Sequence, residues 1–139
     1  MFFIILHLYT NDEYLLTYLH SLWKRFVEYV SNNVGSDAAN ALDTPAKTIT
    51  DYITAWIYIE CDIPEPQTGI RIHCQNKTYS QALKMRAAIS FHYNELGRGS
   101  NSWHQGIDGS WLGNPSLSHA VSRYMLSLQR RKVIHLLSL

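Results

Sequence analysis

A chain of 139 residues, 46% of them apolar and with four Trp, nine Tyr and four Phe, is long enough for one packed domain and short for two. Only 17% of residues are charged and the net charge is +1, which excludes a disordered or supercharged tail. Residues 1–65 hold three basic groups (Lys24, Arg25, Lys47) and nine acidic ones, whereas residues 66–139 hold nine basic groups and only Glu95 and Asp108, so the second half suits an anionic partner.

The opening run from Met1 to Tyr9 is apolar, but it lacks a positive flank and a small-residue cleavage site and is too short to cross a bilayer. It reads as a packing segment or an irregular chain start. Thr10-Asn11-Asp12-Glu13 has the spacing of a capping box, in which the Thr hydroxyl and the Glu carboxylate satisfy free first-turn amides. It predicts a first helix over 12–30 with Leu15, Leu19, Leu22, Phe26 and Tyr29 on one face. Ser31 to Asp43, with Asn32, Asn33 and Gly35, reads as a loop.

Thr44-Pro45 is a second start signal, an N-cap hydroxyl followed by a residue whose fixed φ suits the first helical position. The spacing of Ile49, Tyr52, Ile53, Trp56 and Ile59 favours a helix of about 17 residues, although the β-branched Ile49, Ile53, Ile57 and Ile59 keep a strand as the alternative. Asp62-Ile63-Pro64-Glu65-Pro66 ends it, because proline excludes the helical region for its predecessor. A further capping box, Thr78-Tyr79-Ser80-Gln81, opens a third helix to about Leu96, closed by Gly97. The glycine-rich segment 97–113 carries Trp103 and Trp111, which read as a plug onto the bundle rather than a platform for stacking bases. Asn114-Pro115 starts a fourth helix with Leu117, Val121, Tyr124, Met125 and Leu128 on its apolar face. Ser116, His119, Arg123, Ser127 and Arg130 lie opposite, and Arg130-Arg131-Lys132 falls in the last turn, where cations suit the helix dipole. The expectation is an all-α bundle of four main helices with almost no strand.

Catalytic signals are absent from the sequence. No Gly-x-Ser-x-Gly elbow occurs, and Gly97-Arg98-Gly99 follows no strand and lacks the Gly-Lys-Ser/Thr of a phosphate loop. None of the seven histidines is paired at His-x-x-x-His spacing, and neither Cys61 nor Cys74 belongs to a Cys-x-x-Cys pair, so no metal and no cofactor is expected. Two cysteines make no disulfide scaffold, which favours reduced thiols inside a cell, and the sequon Asn76-Lys77-Thr78 would matter only in a secreted protein.

The basic residues carry the functional signal. On the third helix Lys77, Gln81, Lys84 and Ala88 share a polar stripe, while Arg86 falls among apolar residues and either runs its stem to solvent or meets a buried acceptor. A solvated face normally interleaves Glu with Lys, yet residues 71–94 and 109–139 contain no acid. Uncompensated cations on two helices suit the phosphates of duplex DNA. Gln81, Lys84, Arg86 and Arg123 are the candidates for base edges, and Lys77, Arg130, Arg131 and Lys132 for phosphates. About five such contacts would give a log–log salt slope near −4.5. The competing reading is a helical protein–protein interaction module whose acidic half meets a basic partner or covers its own basic half.

The segments Lys77–Ala88, Gly109–Ser116, Val121–Met125 and Leu128–Lys132, with the opening Thr44-Pro45-Ala46-Lys47-Thr48, Tyr52 and Trp56, resemble the N-terminal core-binding domain of tyrosine-recombinase-like proteins of mushroom-forming fungi. The resemblance spans about Thr44 to Val133. It implies a SAM-like orthogonal bundle that clamps one side of a DNA duplex in the nucleus, next to other recombinase-like protomers and away from membranes, in DNA recombination or integration. It also implies that the strand-cutting domain lies elsewhere, because no histidine here is followed by Arg at the third position. The expected organisation is an N-terminal helical segment and loop over 1–43, the core-binding domain over 44–133 and a tail over 134–139. The chain then reads as a non-enzymatic, truncated or rearranged product.

Overall fold

The computed structural model describes residues 13–63, 77–99 and 101–137. The apolar opening, the Thr10–Glu13 capping box, the Pro64–Pro66 stop, Arg71, Cys74 and the Asn76 sequon fall wholly or partly outside them. The described residues form an all-α bundle of four long helices and one short one: α1 (Glu13–Asn33), α2 (Ser36–Asn40), α3 (Ile49–Cys61), α4 (Tyr79–Glu95) and α5 (His119–Leu137). The strand alternative for α3 does not hold, since its Ile49, Ile53, Trp56 and Ile57 are buried at helical spacing.

Helix α1 buries Leu19, Leu22, Phe26 and Val30, the predicted stripe shifted by one residue at its end. It also runs further than expected. Asn33 Nδ2 donates to the Tyr29 carbonyl, the amides of Val34 and Gly35 both reach Val30 O, and Gly35 at φ 142° turns the chain into α2. The predicted loop 31–43 is therefore largely helical. The Thr44-Pro45 start is displaced in the other direction. Thr44 Oγ1 donates back to the Ala41 carbonyl and Pro45 is buried, so both serve the preceding turn and α3 begins only at Ile49.

Helix α4 is the centre of the bundle, packed against α1, α3 and α5. Thr78 Oγ1 accepts from the Gln81 amide, half of the predicted capping box; the Gln81 side chain instead accepts from the Tyr18 hydroxyl at 3.0 Å. From Met85 onward the helix is buried nearly all round through Ala87, Ala88, Ile89, Ser90, Phe91 and Tyr93. Its small residues admit close neighbours. The predicted polar stripe accordingly ends at Lys84, and Ala88 lies in the core.

After α4 the chain turns at Gly97 (φ 83°) and forms a minimal hairpin, β1 (His104–Gln105) paired antiparallel with β2 (Trp111–Leu112). Trp103 and Trp111 stack with centroids 5.1 Å apart, and Trp103 packs on the core, as a plug does. The predicted Asn114-Pro115 start opens only a three-residue 3-10 turn, Pro115–Leu117. The real cap of α5 is Ser118, whose Oγ accepts from the Val121 amide. Ser116, placed on the polar stripe from sequence, is buried because it faces Asn114. Helix α5 continues to Leu137, beyond the last turn expected at Arg130–Lys132, so these three residues do not occupy the last turn and the dipole gives them no special support. One core joins Leu19, Phe26, Trp56, Met85, Tyr93, Val121 and Leu128, so α1 shares its packing with α3, α4 and α5.

Candidate nucleic-acid interface

The structure distributes the eight predicted DNA-binding residues over four places. Arg86 points inward: its Nε donates to the Ser116 carbonyl at 2.9 Å and its Nη2 to Ser122 Oγ at 2.8 Å. Of the two alternatives left by the sequence, the buried acceptor is realised, and Arg86 ties α4 to the start of α5. Desolvation lowers its pKa below the usual arginine value.

Gln81 and Lys84 lie on the opposite flank of α4, facing α1. The Lys84 ammonium sits 5.9 Å from the centroid of the Tyr18 ring, and that same Tyr18 holds Gln81. They share no face with Arg86.

The third place is the C-terminal end of α3, where cations from three other parts of the fold converge on two carboxylates. Glu60 accepts from Arg25 of α1 at 2.5 Å and lies 3.4 Å from the Lys77 ammonium just before α4. Asp62 accepts from Arg131 of α5 through Nε at 3.1 Å and Nη2 at 2.5 Å, and from the Tyr124 hydroxyl at 3.0 Å. Arg131 also bonds Ser127 Oγ. The Asp62 hydrogen bond raises the Arg131 pKa, while burial and then the Asp62 charge raise that of Tyr124. Lys132 is half-buried near the same point, close enough to lower the pKa of Cys61. Arg25 had no signal in the sequence: it sits in the acidic half, and only the packing of α1 against α3 brings it to Glu60.

The fourth place is the outer face of α5. Arg123 and Arg130 are exposed, seven residues apart and therefore on one side about 10.5 Å apart along the axis. Neither has a carboxylate within ion-pair distance among the described residues, since α5 itself carries no acid. Leu126, Val133 and Ile134 are exposed on the same helix.

Other chemistry is sparse. Among the described residues no group of three or more His, Cys, Asp or Glu could hold a metal ion, and no helix is long and apolar enough to cross a membrane. Cys61 is a free, fully buried thiol 3.7 Å from Met85 Sδ. Burial first, then the Glu60 carboxylate, pushes its pKa up to about 11. The folded state thus favours the neutral thiol. The stability this contributes is complete below the unfolded pKa near 9 and is lost as pH rises toward 11, by about 2 kcal/mol. Denaturant melts at pH 8 and 9.5, below the range in which the raised pKa values of Tyr93 and Tyr124 add a loss of their own, should show the first part of it, about 1 kcal/mol, and Cys61→Ala should lack most of that; a melt independent of pH over that range would contradict the assignment.

Comparison of the chain with protein-family models, with curated proteins and with solved structures finds no match.

Proposed function

We propose that the chain binds double-stranded DNA through phosphate contacts centred on the outer face of α5. The observation that carries the reading is the pair Arg123 and Arg130, exposed on one side of an acid-free helix with no carboxylate partner among the described residues. An exposed guanidinium without a partner gains a charge-assisted contact from a phosphate and gives up none. The resemblance to recombinase core-binding domains supports the same reading, with the chain as a SAM-like clamp that carries no catalytic step, acts in the nucleus and meets other recombinase-like protomers. Lys77 and Arg131 are neutralised internally, which lowers the count of ready contacts below the five expected from sequence.

Two phosphate contacts give a slope of log affinity against log salt of about −1.8, so raising salt from 50 to 200 mM costs roughly 12-fold. Fluorescence anisotropy with a labelled duplex measures it. Replacing Arg123 and Arg130 together by Ala should flatten the slope to near zero without loss of folding, because both side chains are exposed. If the double variant folds and binds with unchanged salt dependence, the reading falls.

A second reading has one specific support. Leu126, Val133 and Ile134 are exposed apolar residues on α5, which favours a helical interaction module. Under that reading Leu126→Ser would weaken partner or self association and leave the salt dependence untouched.

A further inference from the structure

We propose that Asp62 holds Arg131 in the place of a DNA phosphate, so that Arg131 is a reserve anion site closed by the chain's own carboxylate. The proposal rests on the DNA-binding reading above and names a second contact within it. The geometry around Asp62 is that of a recognition site. The Arg131 fork meets both carboxylate oxygens, the bidentate arrangement that guanidinium offers equally to a phosphate.

The two partners differ in exposure. The Asp62 side chain is 13% exposed and that of Arg131 45%, so the guanidinium is open to an incoming anion while the carboxylate is fixed from behind. Asp62 would not be stranded if Arg131 turned outward, since the Tyr124 hydroxyl continues to donate to Oδ2. Arg131 directly follows Arg130, one of the two proposed phosphate contacts. A duplex seated on Arg123 and Arg130 therefore brings its phosphates within reach of a guanidinium that a carboxylate already occupies. The surroundings favour the exchange, because among the described residues Arg25, Lys77, Arg131 and Lys132 outnumber Glu60 and Asp62 at this end of α3.

The test is a double-mutant cycle on DNA binding. Asp62→Asn keeps the side-chain shape and an acceptor for Tyr124 but releases Arg131. It should tighten binding at 50 mM salt about tenfold and steepen the salt slope by about 0.9, the increment of one phosphate contact. In an Arg131→Ala background the same change should give no gain. Asp108→Asn, which removes an equal charge from the exposed hairpin, should leave the slope unchanged.

If folded Asp62→Asn binds like the wild type, or if its gain persists without Arg131, then Arg131 is a fixed tie between α3 and α5 and the proposal is overturned. A second readout compares the two folded proteins: the Arg131 Nε–H resonance should shift when duplex is added to Asp62→Asn and keep its place in the wild type, any other pair of results also overturns the proposal, and Asp62→Ser takes the place of Asp62→Asn in both measurements if that variant does not fold. Binding by neither protein would instead remove the DNA-binding reading itself, and this site with it.

Discussion

Replacing Asn114 by Ala should cost about 4 kcal/mol of folding stability, a large share of the roughly 5–15 kcal/mol available to a domain of this size. Asn114 is fully buried at the corner where the hairpin returns to the bundle. Its Nδ2 reaches the Ser90 carbonyl at 3.1 Å, Ser90 Oγ at 3.2 Å and the Gly99 carbonyl at 3.2 Å. Its Oδ1 accepts from the Ser116 amide at 3.1 Å and from Ser116 Oγ at 2.9 Å. Truncation leaves several of these groups without partners in a site closed to water, and each buried unsatisfied group costs about 1–3 kcal/mol.

The neighbouring backbone cannot relax to compensate. A Cβ on Gly113 would stand 2.1 Å from the Ser102 carbonyl oxygen, and Gly113 has φ 87°, so the two chain passes are in contact there. Thermal unfolding followed by circular dichroism should show the midpoint fall by roughly 15 °C. Asn114→Asp should not rescue it, because a carboxylate keeps the acceptor but faces two carbonyls. A fall of only a degree or two for Asn114→Ala would show that the corner does not bear on stability.

Phe26→Ala should be comparably severe, at about 3–5 kcal/mol. The ring is fully buried and lies between Trp23 of its own helix, at 5.5 Å, and Trp56 of α3, at 5.2 Å. Its removal takes away the contact that fixes α1 on α3 and leaves a cavity edged by two indoles. The near-ultraviolet dichroism of the tryptophans should weaken along with stability, while exposed-face changes such as Arg123→Ala leave both unaltered. Phe26→Leu, which refills most of the volume, should recover more than half of the loss. Equal losses for Leu and Ala would mean that ring packing, rather than volume, sets the cost.

Much of the fold was legible in the sequence because burial periodicity is a local property. The stripes of α1, α3 and α5, the Thr78 cap and the Gly97 stop each depend on residues a turn or two apart, and these patterns predicted the helices and the all-α class. The element ends were less legible. Thr44-Pro45 and Asn114-Pro115 both carry start signals, yet the Thr44 hydroxyl is spent on the preceding turn and Asn114 is drawn into the Ser90–Ser116 network. At Thr44 a nearer local acceptor, the Ala41 carbonyl, takes the hydroxyl, whereas at Asn114 the tertiary bonds to Ser90 and Gly99 hold a side chain that caps only a single 3-10 turn.

The site divides along the same line. Composition alone showed that the second half of the chain is basic and that α5 lacks acids, and those facts still carry the functional proposal. Which cations stand ready for a ligand was decided only by packing. The meeting of α3 with α1, α4 and α5 sets Glu60 against Arg25 and Lys77, and Asp62 against Arg131, across sequence separations that no periodicity encodes. It also turns Arg86 inward onto Ser116 and Ser122. A charge's sequence neighbours fix its sign and helix face, but its partner is fixed by whichever element the core brings alongside.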